Sequence, residues 1–265
     1  MAHLLTQLQI QHLKWQAIEA WKVMILGNVK EAELFGGAVR DEILTESLEG
    51  KEFSLETHIV PKDLDFRVKT EDALKKLIKF VTNTFGWEPE ENTKYPREHC
   101  TVYTARIPLL TQCDLTNELS IYIDLVWEKT TVNLDFDVNS LSYSHQGLLK
   151  TSLSEQKSAI KDFEQLQTIV QHIKAKRAYF KLQKSDVSFE VLGQRACNLM
   201  RKDWTIVTFG VEYIAQKTMA HCACFEQEEL VSTLFSKVDD FKGMCETCFI
   251  EHFTVTLSTL VLSSK

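Results

Sequence analysis

The amino-acid sequence predicts an α+β fold, in which a first half that contains both strands and helices precedes a mainly helical C-terminal region. An apolar run ends in a pair of glycines and passes into a helical pattern, strand-like alternation recurs three times, and helical spacing dominates after about residue 155. The three alternating segments are residues 62–68, 100–109 and 119–128. We therefore predict a first domain over residues 1–150 and a helical C-terminal domain over residues 151–265.

The first 26 residues predict an amphipathic helix that packs against the first domain. Apolar residues at helical spacing are expected to form its packing face, namely Leu5, Leu8, Leu13, Trp21 and Met24. Polar residues recur every few positions, so the segment has no unbroken apolar run of about 20 residues, as a membrane span needs. We expect no membrane partner. Seven cysteines without a secretory signal indicate a reducing, cytoplasmic location.

Overall charge excludes a protein that binds nucleic acid through its whole surface, because the formal net charge of the 265 residues is −7. A local polyanion site is still open. Residues 157–184 are rich in Lys, Arg and His, and this segment is either a nucleic-acid contact or simply the solvated face of a helix.

The segment "AELFGGAVRDEIL" predicts a strand, a tight turn at Gly36-Gly37 and a helix that begins there. Two glycines allow the backbone to approach a ligand closely, and the start of a helix directs free N–H groups and a positive dipole at it. We expect a triphosphate to bind at this turn. At Gly37 we expect a side chain to block the backbone's approach to the triphosphate, and we expect the backbone to need the freedom of glycine.

Two aspartates alternate along the next strand, in "DLDFRV". Asp63 and Asp65 are two positions apart, so both side chains face the same side of the strand, where they can hold a hard cation such as Mg²⁺ or Mn²⁺. A third carboxylate would complete a phosphoryl-transfer site, and Asp124 in "IYIDLVW" is the best candidate. Asp114 and Glu118 are rivals in a more turn-like context.

The strand around Asp124 has a predicted inner and outer face. Ile121, Ile123 and Leu125 are expected to lie in the core, and Tyr122, Asp124 and Val126 are expected to face outward into a cleft.

These residues carry a family resemblance. "GGAVRDEIL" with "DLDF" resembles the head-domain signature of tRNA nucleotidyltransferases and bacterial poly(A) polymerases, within the DNA-polymerase-β-like nucleotidyltransferase superfamily. That signature reads G-G-x-V-R-D followed by D-x-D. "LDFDVNSLSY" resembles the next motif of the family, R-R-D-F-x-x-N-A, and the resemblance covers roughly residues 30–145.

The resemblance implies a nucleotidyltransferase-type mixed β-sheet with flanking helices and a nucleotidyl transfer. Asp63, Asp65 and Asp124 would be the catalytic and magnesium-binding residues. The nucleotide would be bound by Gly36, Gly37, Arg40, Asp41, Asp135 and Asn139, where Arg40 and Asp41 organise the turn. A nucleoside triphosphate would be the donor. RNA, tRNA-like or at a 3′ end, would be the favoured acceptor, with a protein or a small molecule as alternatives.

The sequence also departs from the family. Asn133 and Leu134 stand where the family has two arginines before Asp135, and no base-reading E-D-x-x-R motif is recognisable in residues 150–200. An alternative is therefore a catalytically inactive relative that senses nucleotides or binds a protein partner.

Four cysteines near the C-terminus form two close pairs, Cys222 with Cys224 and Cys245 with Cys248. Four thiolates can close a tetrahedral zinc site, which would stabilise the C-terminal domain, and His221 or His252 could replace one of them. Buried cysteines without metal are the alternative.

Overall fold

A computed structural model of the protein describes residues 6–46, 59–93, 100–109, 120–129, 136–151, 159–181, 188–221, 230–239 and 243–263. The chain divides into two compact units. The first consists of residues 1–132 and 139–167, and the second of residues 133–138 and 168–265. The first unit thus extends to Gln167, beyond the predicted boundary at residue 150.

The first unit contains a seven-stranded mixed sheet. Its strands are β1 (Glu33–Phe35), β2 (Asp63–Val68), β3 (Glu90–Glu91), β4 (Cys100–Pro108), β5 (Ser120–Glu128), β6 (Leu141–Ser144) and β7 (Leu149–Thr151), in the spatial order β3-β4-β5-β2-β1-β6-β7. Only β2 and β5 run parallel to each other; all other neighbours in the described sheet are antiparallel. Together with its helices, this sheet confirms the α+β class.

Three helices contact this sheet: α1 (Gln7–Asn28), α2 (Gly37–Glu46) and α3 (Glu71–Phe85). Helix α1 begins with a capping box, in which Thr6 and Gln9 satisfy each other's backbone N–H groups. Helix α3 begins at the cap Thr70 and ends at Gly86, whose φ of 73° is the left-handed conformation that glycine adopts readily.

The predicted packing face of α1 is wrong at two of its residues, Leu8 and Met24, although Trp21 does contact Phe85 of α3. Leu8 and Met24 are exposed, whereas Ile10, Ile18 and Ile25 are buried. Spacings of eight and seven residues place these isoleucines on one stripe of the helix, and β-branched Ile fills a core position as well as Leu does. Leu5 lies outside the described residues.

The parallel pairing of β2 with β5 sets the two faces of the sheet. Leu64 pairs with Ile123 and Phe66 with Leu125, and all four side chains are fully buried. Tyr122, Asp124 and Val126, at alternate positions of β5, point to the other face and are partly exposed. The predicted inner and outer faces of β5 are therefore confirmed.

The second unit is not as predominantly helical as predicted. It contains a four-stranded sheet in the order β11-β10-β9-β8, formed by β8 (Arg177–Tyr179), β9 (Thr205–Thr208), β10 (Val211–His221) and β11 (Leu230–Lys237). Helices α5 (Phe189–Met200) and α6 (Glu246–Ser263) pack against each other, and α4 (Ala159–Lys174) precedes β8. Because Ile206, Val207, Val211 and Tyr213 favour strands and flank the turn at Phe209-Gly210, a hairpin forms where helix was expected.

The helices of the described residues do not include one with both the length and the apolar character that a membrane crossing requires.

Candidate active site

The three predicted catalytic carboxylates lie on one face of two neighbouring strands. Asp65 of β2 and Asp124 of β5 are direct partners in the parallel register, and Asp63 is two residues before Asp65 on the same face. Asp63 is exposed, and Asp65 and Asp124 are partly exposed. The structure therefore places the three residues that the sequence predicted as a set on one face of two neighbouring strands.

Asp124 has a specific partner on the opposite side from β2. Thr104 of β4 pairs with Asp124 in the antiparallel register, and its hydroxyl donates a hydrogen bond of 2.6 Å to Asp124 Oδ1. Burial raises the pKa of Asp124; the Thr104 hydrogen bond lowers it, and the negative charge of Asp63 raises it again, so that the net pKa lies above its usual value of 3.8. Asp124 is thus a carboxylate whose charge is not fully compensated.

The glycine turn directly follows β1 and lies against Asp65. Phe35, the last residue of β1, pairs with Asp65, and a Cβ built on Gly36 would be 3.4 Å from Asp65 Oδ2. Gly36 has a φ of +74°, a conformation that side chains rarely adopt, whereas Gly37 does not have a positive φ. The expectation that Gly37 needs the freedom of glycine is therefore wrong: Gly36 is the position that requires it.

Arg40 lies beneath this turn as a buried cation. Its side chain donates to Asp41 Oδ1 and, over 2.7 Å, to Asn139 Oδ1. Arg40 is 6% exposed and Asp41 is 2% exposed, and a Cβ on Gly37 would be 3.4 Å from Arg40 Nη2. These bonds tie the first turn of α2 to Asn139, two residues before β6 begins, so they fix the shape of the glycine turn.

Arg67 adds a second buried cation on the face that carries the carboxylates. It donates to Glu33 Oε2 and to the hydroxyl of Ser142, and its guanidinium lies 5.3 Å from the centre of the Phe35 ring. Burial alone would raise the pKa of Glu33, but the charge and hydrogen bonds of Arg67 outweigh it and hold that pKa below its usual value. This network fixes β1 just before the glycine turn.

The donor set of this face suits a hard divalent cation, because carboxylate oxygens are the preferred ligands of Mg²⁺ and the glycine turn adjoins Asp65. Within the described ranges, however, no group of three or more His, Cys, Asp or Glu side chains is arranged closely enough to hold one metal ion. Like charges repel, and Asp124 is turned to Thr104. Metal binding at the three aspartates therefore stays a prediction.

Several predicted residues lie outside the described part of the chain. These are the nucleotide-binding candidate Asp135, the rival carboxylates Asp114 and Glu118, the departures Asn133 and Leu134, and the cysteines Cys222 and Cys224. Their predicted roles stay predictions.

The described half of the predicted zinc site lies at the start of α6. Cys245 is buried and follows Met244, which bridges to Phe235 of β11, and Phe235 pairs with Ala215 of β10. Cys222 and Cys224 lie outside the described residues, so the zinc site stays a prediction.

Sequence reasoning missed a buried polar cluster in the second unit. Asp137, in the short 3₁₀ helix Asp137–Asn139, is 1% exposed and accepts hydrogen bonds from the backbone N–H groups of Tyr179 and Val138. Its other oxygen lies 2.6 Å from His172 Nδ1, and the His172 ring stacks on Tyr179. The aspartate lies within the motif that we compared with the nucleotidyltransferases, but no pattern in the sequence pairs it with His172.

Comparison with known proteins does not assign this chain to a family. Neither the scan against protein-family models nor the search of curated proteins gives a match. The resemblance to nucleotidyltransferases therefore depends on the motif residues.

Proposed function

We propose that this protein is a metal-dependent nucleotidyltransferase, which transfers a nucleoside monophosphate from a nucleoside triphosphate to a hydroxyl of an acceptor. The observation that carries the proposal is the pairing of Asp65 with Asp124 beside the turn at Gly36. It combines carboxylates for a cation with a turn that can accept phosphate at the start of a helix.

In this proposal Asp63, Asp65 and Asp124 hold Mg²⁺ or Mn²⁺. When bound, the cation supplies positive charge that neutralises the phosphate oxygens. A bond forms between the acceptor oxygen and the α-phosphorus, and the bond from that phosphorus to the oxygen bridging to the β-phosphorus breaks. Pyrophosphate leaves with the electron pair, and the proton of the hydroxyl is released to water. The backbone N–H groups at the start of α2, from Gly37 onward, would bind the departing phosphates, because the N–H of Gly36 already donates to the carbonyl of Leu141.

The strand order indicates the side from which the acceptor comes. The glycine turn follows β1, on one side of β2, and Asp124 belongs to β5, on the other side. In-line displacement requires the attacking and leaving oxygens on opposite sides of the phosphorus. With pyrophosphate at the glycine turn, the acceptor hydroxyl approaches from the side of β5 and β4.

RNA is the favoured acceptor, because that side carries residues that suit a polynucleotide. Tyr122 pairs with Asp63, and Arg106 pairs with Tyr122, so the three form one row across the sheet. An aromatic ring and a guanidinium next to each other can stack a base and contact a phosphate.

A panel of nucleoside triphosphates labelled at the α-phosphate tests the function. Each is incubated with total cellular RNA and Mg²⁺ or Mn²⁺, using the wild type, Asp65→Asn and the control Asp72→Asn, which changes an exposed aspartate of α3. We expect labelled RNA with the wild type and the control. Asp65→Asn should lose more than about 100-fold in rate, because substitutions of residues that only support metal ligands already cost about 10–100-fold.

The same panel addresses the inactive alternative. Triphosphate binding that depends on Asp65, measured by calorimetry, without transfer to RNA, protein or small molecules would favour a nucleotide-sensing module. Absence of both binding and transfer in the wild type would contradict both functions.

A further inference from the structure

The hydroxyl of Thr104 is the one neutral side-chain donor that the described residues direct at an oxygen of Asp124. Thr104 is held on β4 by the antiparallel register, which sets it directly opposite Asp124, and its β-branched side chain has few rotamers. The donor is therefore fixed in position by the sheet.

Asn92, which follows β3, fixes the direction of this hydrogen bond. Its side-chain amide donates to Thr104 Oγ1 over 3.4 Å, and its backbone N–H donates to the carbonyl of Val102 on β4. Since the Thr104 oxygen accepts from Asn92, its own proton is directed to Asp124 Oδ1.

We propose that Thr104 is a positioning residue, which engages Oδ1 of Asp124 and so makes Oδ2 the oxygen that Asp124 offers to the cation. This rests on the proposed function. The proposal adds that Asp124 binds the cation through one oxygen only. The hydrogen bonds from Asn92 to Thr104 and from Thr104 to Asp124 set the orientation of the Asp124 carboxylate. Residues that orient a metal ligand from outside the metal's own shell typically change metal affinity by about 10–100-fold when they are removed.

Charged groups around Asp124 do not replace this bond. Asp63 and Asp65 of β2 face the same side and repel it, and Arg106 of β4 is one row away, with its Nε bonded to Ser120. Arg67, also on β2, is bonded to Glu33. The orientation of the Asp124 carboxylate therefore depends on the hydroxyl of Thr104.

The test measures the affinity of the full chain for Mn²⁺ by electron paramagnetic resonance. The measurement is made in the presence of a non-hydrolysable nucleoside triphosphate. Thr104→Val keeps the shape of the side chain and removes the hydroxyl, and Thr104→Ser keeps the hydroxyl. Thr101→Val, on the same strand but the opposite face, is the matched control. Thr104→Ala is a second variant without the hydroxyl, in case the valine is not accommodated.

We expect Thr104→Val and Thr104→Ala to weaken Mn²⁺ binding on the order of 10-fold. Thr104→Ser and Thr101→Val should bind it as the wild type does, and all melting temperatures in chelator should be similar. Wild-type affinity in both hydroxyl-free variants would overturn the role of Thr104 while leaving the proposed function intact, and so would equal weakening in Thr101→Val. A wild type that binds no Mn²⁺ with the triphosphate would overturn the metal-dependent function itself.

Discussion

The carboxylates of the two units are held in opposite ways. In the second unit Asp137 is fully buried, accepts two backbone N–H groups and pairs with His172, so its charge is compensated. In the first unit Asp65 and Asp124 lie directly opposite each other on the neighbouring strands β2 and β5, and the pKa of Asp124 is raised. A compensated buried carboxylate stabilises a fold, whereas carboxylates of like charge on one partly open face favour a cation.

The largest effect on stability that this comparison predicts concerns Asp137. Asp137→Asn replaces one carboxylate oxygen by an amide N–H₂ group, which then faces either His172 or a backbone N–H, both of which donate to Asp137 in the wild type. A buried donor without an acceptor costs about 1–3 kcal/mol. The free energy of unfolding, measured in urea, should fall by this amount, while Mn²⁺ binding with a triphosphate stays at the wild-type level. A variant as stable as the wild type would show that the compensation of Asp137 does not stabilise the fold.

A smaller cost is expected at the glycine turn. Gly36→Ala must adopt a left-handed conformation that costs about 1–2 kcal/mol, and its Cβ would touch Asp65 Oδ2. We expect lower stability together with weaker triphosphate binding by calorimetry. Gly37→Ala is the control for the cost of the left-handed conformation, because Gly37 does not have a positive φ. Equal stability of the two variants would mean that the conformation of Gly36 is not required.

The smallest expected effect on stability is a gain, at Asp124. Asp124→Asn should raise the stability of the metal-free protein by about 0.2–1 kcal/mol, the range for charged pairs that face each other across strands, because it removes repulsion and keeps an oxygen for Thr104. It should also abolish any stabilisation by Mg²⁺ with a triphosphate. Thermal melts in chelator and in Mg²⁺ measure both.

The stability difference between the wild type and Asp124→Asn should depend on pH, because the pKa of Asp124 is raised in the folded state. Because the pKa of Asp124 is higher in the folded state than 3.8, the wild type loses stability relative to Asp124→Asn as the pH rises from 3.8 through the folded-state pKa. Well below pH 3.8 the side chain is protonated in both states, so the pH-dependent part of the stability difference should vanish. A gain in wild-type stability over the same interval would contradict the raised pKa.

Sequence periodicity predicted the part of the site that depends on one strand. Asp63 and Asp65 share a face because side chains alternate along any strand, and the inner face of β5 was visible in its alternating apolar residues. The α+β class followed from the same kind of pattern.

Features that depend on contacts between distant segments were not predictable. Thr104 reaches Asp124 only because β4 pairs with β5 in one register, and 20 residues separate them. Leu8 and Met24 were assigned to the packing face of helix α1 because its apolar residues occur all round it. The side that packs also contains the buried Lys22, which is bonded to Glu42. In the second unit the alternation around Phe209-Gly210 was present in the sequence but was interpreted as helix.

The most direct test of nucleotidyl transfer compares two labels on one nucleotide. The wild type and Asp65→Asn are incubated with Mg²⁺, RNA and the preferred triphosphate, labelled either at the α-phosphate or at the γ-phosphate. We predict that the wild type joins the α-label to RNA and releases the γ-label as pyrophosphate, and that Asp65→Asn does neither. Transfer of the γ-label to the acceptor, or α-label incorporation that persists in Asp65→Asn, would contradict the proposed chemistry.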